Sequence, residues 1–106
     1  MISQHYKNKR RKREKFIDKY IHDDGSIIDE FIVDKGHKNG VELHCITDNG
    51  IIIIKNFNSG KLITKLIARE HQIQRYYLST GRTPPPQYEK VLYIARWHES
   101  LGYNYM

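Results

Sequence analysis

The central part of the chain, residues 27–67, contains four short apolar-rich runs with the two-residue period of β-strands, which is cleanest at residues 41–47. The runs are separated by a loop at residues 36–40, GHKNG, and by the sequences DNG at residues 48–50 and NFNSG at residues 56–60, which are typical of hairpin turns. The four isoleucines at residues 51–54 favour a central strand covered on both faces. The pattern therefore predicts an antiparallel meander of four strands, at residues 27–33, 41–47, 51–55 and 61–67.

Helical patterns flank the predicted sheet on both sides. Residues 4–21 have a composition suited to a helix, but their middle, KNKRRKREK, has no apolar stripe and predicts a charged, basic helix. Residues 87–101 place Tyr88, Val91 and Leu92 on one stripe and predict a C-terminal helix, which three prolines separate from the sheet. Residues 69–78 fit either a short helix or an irregular strand. The predicted fold class is α+β, with an N-terminal basic helix, a four-stranded sheet and a C-terminal helix.

A length of 106 residues allows one hydrophobic core, so residues 1–106 are predicted to form a single domain. Within it, residues 1–15 form a basic arm, residues 27–67 the sheet and residues 87–101 the C-terminal helix. No apolar run approaches the roughly 20 residues needed to cross a bilayer, and no apolar stretch follows the basic N-terminus as in a secretory signal. Cys45 is the only cysteine, which suits a reducing compartment. A cytoplasmic protein with no membrane contact is predicted.

The formal net charge of +6 is concentrated at the N-terminus. Residues 1–22 contain eight Lys and Arg side chains against two acids, whereas residues 55–82 contain six bases against one acid. This distribution favours a phosphate-rich partner through counterion release, and a merely solvated surface is the alternative explanation for the body of the chain. The arm residues predicted to bind nucleic acid are Lys9, Arg10, Arg11, Lys12 and Arg13.

His44 is the residue best placed for chemistry. It lies two residues from Glu42 on the same face of a predicted strand, where the carboxylate can orient the imidazole. Metal-free RNA cleavage needs a base for the ribose 2′-hydroxyl, an acid for the leaving oxygen and cations for the phosphorane. A structural histidine with local hydrogen bonds is the competing interpretation. His37, in a glycine-flanked loop, is a second candidate, and for it the competing interpretation is an exposed loop residue.

No metal site and no cofactor are predicted. His37 and His44 lie seven residues apart and the chain has one cysteine, which does not match the closely spaced ligands of structural zinc sites. No glycine-rich nucleotide loop and no GxSxG motif occur. Cys45 falls with Val41 and Leu43 on the strand face presumed to meet the core, so it is not a candidate nucleophile.

The run ELHxITDNGxIIIxNxxSGKLITKLIARxxQIxRYY, at residues 42–77, resembles small proteins of Gram-positive bacteria, their phages and mobile elements. These are similar to the ribonuclease toxin superfamily that groups barnase, EndoU, the tRNA-cleaving colicins and RelE. The resemblance implies an N-terminal helical element packed on a four-stranded antiparallel sheet, and a neutralising antitoxin or immunity protein. The chain departs from the pattern at Glu70, where a proline is expected. The residues implied to line the cleft are His44, Lys61, Thr64, Arg69, Gln72 and Arg75.

Three functions follow from these patterns. The first is a metal-independent endoribonuclease acting on tRNA or mRNA, in which His44 is the acid or base. The second is a non-catalytic nucleic-acid-binding protein of phage or mobile-element origin, and the third is a protein-binding inhibitor or adaptor. In the first, the catalytic residues are His44, Lys61, Arg69 and Arg75, of which Lys61 and Arg69 stabilise the phosphorane. Beyond the arm, the residues predicted to bind RNA are Thr64, Lys65, Gln72 and Tyr76.

Overall fold

The computed structural model of the chain describes residues 12, 15, 19, 23–36 and 40–101. The predicted N-terminal basic helix falls outside these residues, except for Lys12, Lys15 and Lys19, whose side chains are exposed. The described part contains a sheet and two helices and belongs to the predicted α+β class. Neither helix in this part is long and apolar enough to cross a bilayer.

The sheet is antiparallel and has four strands, ordered so that each strand pairs with the next one along the chain. This order confirms the predicted meander, and every strand end lies within one residue of its predicted position. The strands are β1 (Ile27–Asp34), β2 (Val41–Thr47), β3 (Ile51–Asn56) and β4 (Leu62–Ile67).

Two helices follow the sheet, α1 (Glu70–Thr80) and α2 (Tyr88–Ser100). The undecided stretch before the prolines is therefore helical. Its start is fixed by Arg69, whose backbone N–H donates to the Gln72 side-chain oxygen at 2.9 Å. Its end is fixed by Gly81, which adopts the left-handed conformation with φ 69° that commonly terminates helices.

The core lies between one face of the sheet and the two helices. The face of β2 that meets the helices carries His44 and Ile46, whereas Cys45 points to the opposite face by strand alternation. Cys45 is buried, at 1% exposure. The prediction that the Cys45 face of β2 meets the helices is nevertheless wrong, because the helices cover the opposite face, which carries Ile46. The buried members of the cluster are Phe31, Ile46, Ile52, Ile54, Ala68, Ile73, Tyr77, Val91, Leu92 and Ala95.

Gly50, in the turn between β2 and β3, brings this turn close to α2. Its φ of 75° lies in the region that favours glycine. A Cβ atom at this position would lie 3.3 Å from the Ile94 side chain and 3.5 Å from the His98 ring. Glycine is thus favoured here by both the backbone conformation and the close approach of the helix.

The segment that connects the two helices contacts β1 through Arg82. Arg82 donates hydrogen bonds to the Asp29 carboxylate at 2.8 Å and to the Glu30 carbonyl at 2.6 Å, and its guanidinium lies 4.2 Å from the centroid of the Phe31 ring. The Tyr77 hydroxyl donates to the same Asp29 carboxylate at 3.1 Å. Burial, and then the hydrogen bond to Asp29, raise the pKa of Tyr77, so the phenol remains a donor. These contacts tie the end of α1 to β1.

We expect the fold to lose stability in mild acid because of His98 on α2. It is 2% exposed, and burial lowers its pKa from the ordinary value of 6.5. Below about pH 6.5 the unfolded chain binds a proton that the folded chain does not, so stability is full above that pH and falls beneath it. Denaturant titrations from about pH 7.5 to about pH 5.5 should give a slope of at most about 1.4 kcal/mol per pH unit from this residue. The slope should flatten in His98→Gln and persist in His71→Gln, a variant of an exposed histidine on α1; equal slopes would contradict the prediction.

Candidate nucleic-acid cleft

A cleft of about 300 Å³ lies between the helix-facing side of the sheet and α1. This volume is at the lower end for ligand-binding pockets. Its apolar lining comes from Val33, Ile52 and Leu66, one residue from each of three strands. Apolar walls with a few polar groups are typical of small-molecule sites. The polar lining residues are Lys35, His44, Gln72, Arg75, Tyr76 and Ser79.

His44 lies at the floor of this cleft and is hydrogen-bonded through both ring nitrogens. Its Nε2 atom lies 2.9 Å from Glu42 Oε1, and its Nδ1 atom lies 2.6 Å from the Tyr76 hydroxyl oxygen. Glu42 is 4% exposed and His44 is 6% exposed, so the carboxylate and the imidazole are shielded from water. The three side chains form one continuous array, and the predicted pairing of Glu42 with His44 is confirmed.

The fold positions each member of the array. Residues two apart on a strand point to the same side, which places Glu42 beside His44 on β2. His44 is flanked by Phe31 on β1 and by Ile54 on β3. Tyr76 reaches the imidazole from α1; its ring stacks on Phe31 with centroids 5.0 Å apart and meets the His44 ring edge-on at 5.7 Å. Neighbouring side chains thus fix the orientations of both rings.

For a neutral imidazole, the hydrogen-bonding capacity of the two partners assigns the protons of the array. A carboxylate can only accept, so the His44 Nε2–H donates to Glu42. A neutral imidazole then leaves Nδ1 as an acceptor, which receives the Tyr76 hydroxyl. Burial, and then the negative charge of Glu42, raise the pKa of Tyr76 to about 12, so the phenol is protonated at neutral pH. With a neutral imidazole, the array is therefore a directed chain of donors from Tyr76 through His44 to Glu42.

Two cations, Lys35 and Arg75, line the same cleft with exposed side chains. Lys35 directly follows β1, and Arg75 precedes Tyr76 on α1. Neither forms an ion pair with any described residue. Both charges are therefore available to an anionic ligand, and an arginine can bind a phosphate through two parallel hydrogen bonds.

The structure brings together four of the predicted site residues, His44, Gln72, Arg75 and Tyr76. Their places in the fold explain the grouping, since one comes from the central strand β2 and three lie on one face of α1. The Gln72 side-chain oxygen accepts the Arg69 backbone N–H and so serves the helix start as well as the cleft. The tyrosine, predicted only as an RNA contact, is hydrogen-bonded directly to the histidine.

The other predicted residues are not among those that line the cleft. Lys61 is exposed just before β4, and Arg69 is half-buried at the start of α1. Thr64 lies opposite Ile54 and so shares the helix-facing side of the sheet. Lys65 alternates to the other side and forms an ion pair with Asp24 at 2.6 Å. Lys12 is exposed, whereas Lys9, Arg10, Arg11, Arg13 and His37 fall outside the described residues.

Sequence reasoning missed two polar lining residues, Lys35 and Ser79. A helix over residues 70–80 puts Gln72, Arg75, Tyr76 and Ser79 on a single stripe through spacings of three and four residues. Assigning that helix would have added the serine to the site. Lys35 carries no comparable signal, because its approach to the cleft depends on how β1 ends.

Comparisons of the chain with family models, curated proteins and solved structures find no match. Within the described ranges, no group of three or more His, Cys, Asp or Glu side chains is arranged to hold a metal ion.

Proposed function

We propose that this chain is a metal-independent endoribonuclease that cleaves RNA through the ribose 2′-hydroxyl. The observation that carries the proposal is the buried Glu42–His44 pair at the floor of a cleft that is also lined by two cations, neither of which is paired with a described residue. A carboxylate-oriented imidazole is suited to remove a proton from a hydroxyl near neutral pH. The cations Lys35 and Arg75 make a phosphate the natural ligand of the same cleft.

The cleavage step uses these residues in distinct roles. The 2′-oxygen attacks the adjacent phosphorus, and its proton is accepted by His44, whose new positive charge faces Glu42. Arg75 and Lys35 offset the negative charge of the phosphorane, the role that the sequence assigned to Lys61 and Arg69. The 5′-oxygen leaves with a proton from the Lys35 ammonium group, and a 2′,3′-cyclic phosphate remains on the other product.

The proposed substrate is a cellular RNA, either a tRNA or an mRNA. The charge of +6 over residues 1–22 supports this choice, because basic segments bind phosphate backbones through counterion release. A nuclease that attacks such substrates acts in the cytoplasm and requires a neutralising partner, an antitoxin or immunity protein, in the cell that makes it.

A non-catalytic RNA-binding protein is the second candidate. One observation favours it, namely that both ring nitrogens of His44 are occupied by groups of the protein. In that case the array rigidifies the cleft, while Arg75 and Lys35 bind the RNA backbone without cleaving it.

Incubation of labelled tRNA and mRNA with the protein in EDTA tests the proposal. We expect fragments that end in 2′,3′-cyclic phosphate, cleavage about 100-fold slower in Arg75→Ala because a phosphorane contact is lost, and no cleavage in His44→Gln. The matched control is Lys90→Ala, which removes an exposed cation from the outer side of α2 and should leave the rate unchanged. Circular dichroism and thermal melting establish that each variant is folded.

The outcomes separate the candidate functions. Intact RNA that shifts on a native gel with wild-type protein, and shifts less with Arg75→Ala, would favour the binding protein. Absence of both cleavage and a shift at low salt would overturn both RNA functions and leave the protein-binding adaptor.

A further inference from the structure

We propose that Tyr76 is the catalytic residue that contacts the ribose 2′-hydroxyl and passes its proton to His44. This inference rests on the proposed function and assigns the route by which the substrate reaches the base. Both nitrogens of the His44 imidazole are already hydrogen-bonded, Nε2 to Glu42 and Nδ1 to the Tyr76 hydroxyl. A substrate hydroxyl therefore reaches the imidazole only through one of these two partners.

Of the two partners, only Tyr76 faces the cleft. It is among the lining residues, as is His44, whereas Glu42 is not and has 4% of its surface exposed. Tyr76 and Arg75 are consecutive residues of α1 that both line the cleft. A phosphate held by Arg75 would therefore place the neighbouring ribose near the phenol.

The phenol is held in the orientation that a relay needs. Its oxygen lies 2.6 Å from His44 Nδ1, within the range of a strong hydrogen bond between hydroxyl and imidazole. Stacking of the Tyr76 ring on Phe31, at 5.0 Å between centroids, restrains the side chain from the other side. With a neutral imidazole whose Nε2–H faces Glu42, the phenol hydrogen is directed to Nδ1, and the oxygen lone pairs are left to accept a hydrogen bond from the substrate.

The proposed transfer of the 2′-hydroxyl proton to His44 does not require an ionised tyrosine. As the 2′-oxygen bonds to phosphorus, its proton moves to the Tyr76 oxygen, and the proton that this oxygen already carried moves to His44 Nδ1. The tyrosine ends as a neutral phenol, and the positive charge resides on the imidazolium beside Glu42. The raised pKa of Tyr76 agrees with this role, because a phenol that stays protonated at neutral pH is a carrier of protons and not an anionic base.

Tyr76→Phe tests the relay, because it keeps the ring and its stacking but removes the hydroxyl. We expect single-turnover RNA cleavage to be about 100-fold slower or more, with the Kd for RNA changed less than about twofold. The rate in wild-type protein should also show a solvent deuterium isotope effect with a curved proton inventory, the mark of two protons moving together. Tyr93→Phe, which removes the hydroxyl of a tyrosine 67% exposed on α2, should match wild type in both measurements.

Each outcome bears on the relay. Wild-type cleavage with an equal rate in Tyr76→Phe would overturn the relay and leave the ribonuclease proposal standing. A wild-type protein that binds RNA without cleaving it would overturn both. A covalent adduct between Tyr76 and the RNA on a denaturing gel would show the tyrosine to be a nucleophile and would overturn the relay. Cleavage of a strand with 2′-deoxyribose at the scissile position would show that the 2′-hydroxyl is not the attacking group and would also overturn it.

Discussion

Replacing Phe31 by alanine is expected to lower the free energy of unfolding by about 3–5 kcal/mol, the usual cost of removing a large aromatic side chain from a core. Phe31 is 2% exposed and lies among three partners. It stacks on Tyr76, meets the Tyr77 ring edge-on at 5.1 Å and lies under the Arg82 guanidinium at 4.2 Å. The truncation thus removes contacts from α1 and from the interhelical segment at once. Equilibrium denaturation in urea measures the change.

The next residue of the same strand provides the control. Ile32 points to the opposite side of β1 and is 62% exposed, so Ile32→Ala should change stability by no more than about 0.5 kcal/mol. Equal losses in the two variants would mean that the helix-facing side of β1 is not the side that stabilises the fold. Phe31→Ala should also slow the proposed RNA cleavage at temperatures where it remains folded, because Tyr76 loses the ring that restrains it.

The sheet could be predicted almost residue by residue, because the signals involved are local. Each strand is a short apolar-rich run, alternating or, in β3, continuously β-branched, and is bounded by a turn or loop sequence such as DNG; a meander needs no information beyond the order of such hairpins. The face of β2 that meets the helices could not be predicted in this way. Both faces of this strand contain apolar residues, Cys45 on one and Ile46 on the other. Which face is covered depends on the packing of the two helices, which follow the sheet in the sequence.

The site was predictable only in part, for a related reason. The pairing of Glu42 with His44 follows from their spacing on one strand, and the structure confirms it. The contact with Tyr76 spans 32 positions in the sequence and depends on α1, whose pattern over residues 69–78 also fits an irregular strand. The aromatic stacking on Phe31 that fixes this contact is likewise set by tertiary packing, and the periodicity of the sequence does not predict it.

Glu42→Ala is expected to lower the free energy of unfolding by about 1–3 kcal/mol, because it leaves the His44 Nε2–H buried without an acceptor. Since 1 kcal/mol corresponds to about 4–8 °C in a domain of this size, the Tm should fall by at least about 4 °C. Thermal melting followed by circular dichroism measures the shift. Glu30→Ala removes an exposed carboxylate from the neighbouring strand and should shift the Tm by less than about 2 °C; an equal shift in both variants would contradict a buried pair.

Glu42→Gln separates the structural role of this carboxylate from its proposed chemical role. The amide oxygen can still accept the His44 Nε2–H, so most of the stability lost in the alanine variant should return. The rate of RNA cleavage should not return with it, because a neutral amide does not stabilise the imidazolium that forms when His44 takes a proton. Recovery of both stability and rate would indicate that Glu42 only holds the ring in place. A stable but slow variant would instead show that the proton transfer needs the negative charge of the carboxylate, as the array of Tyr76, His44 and Glu42 requires.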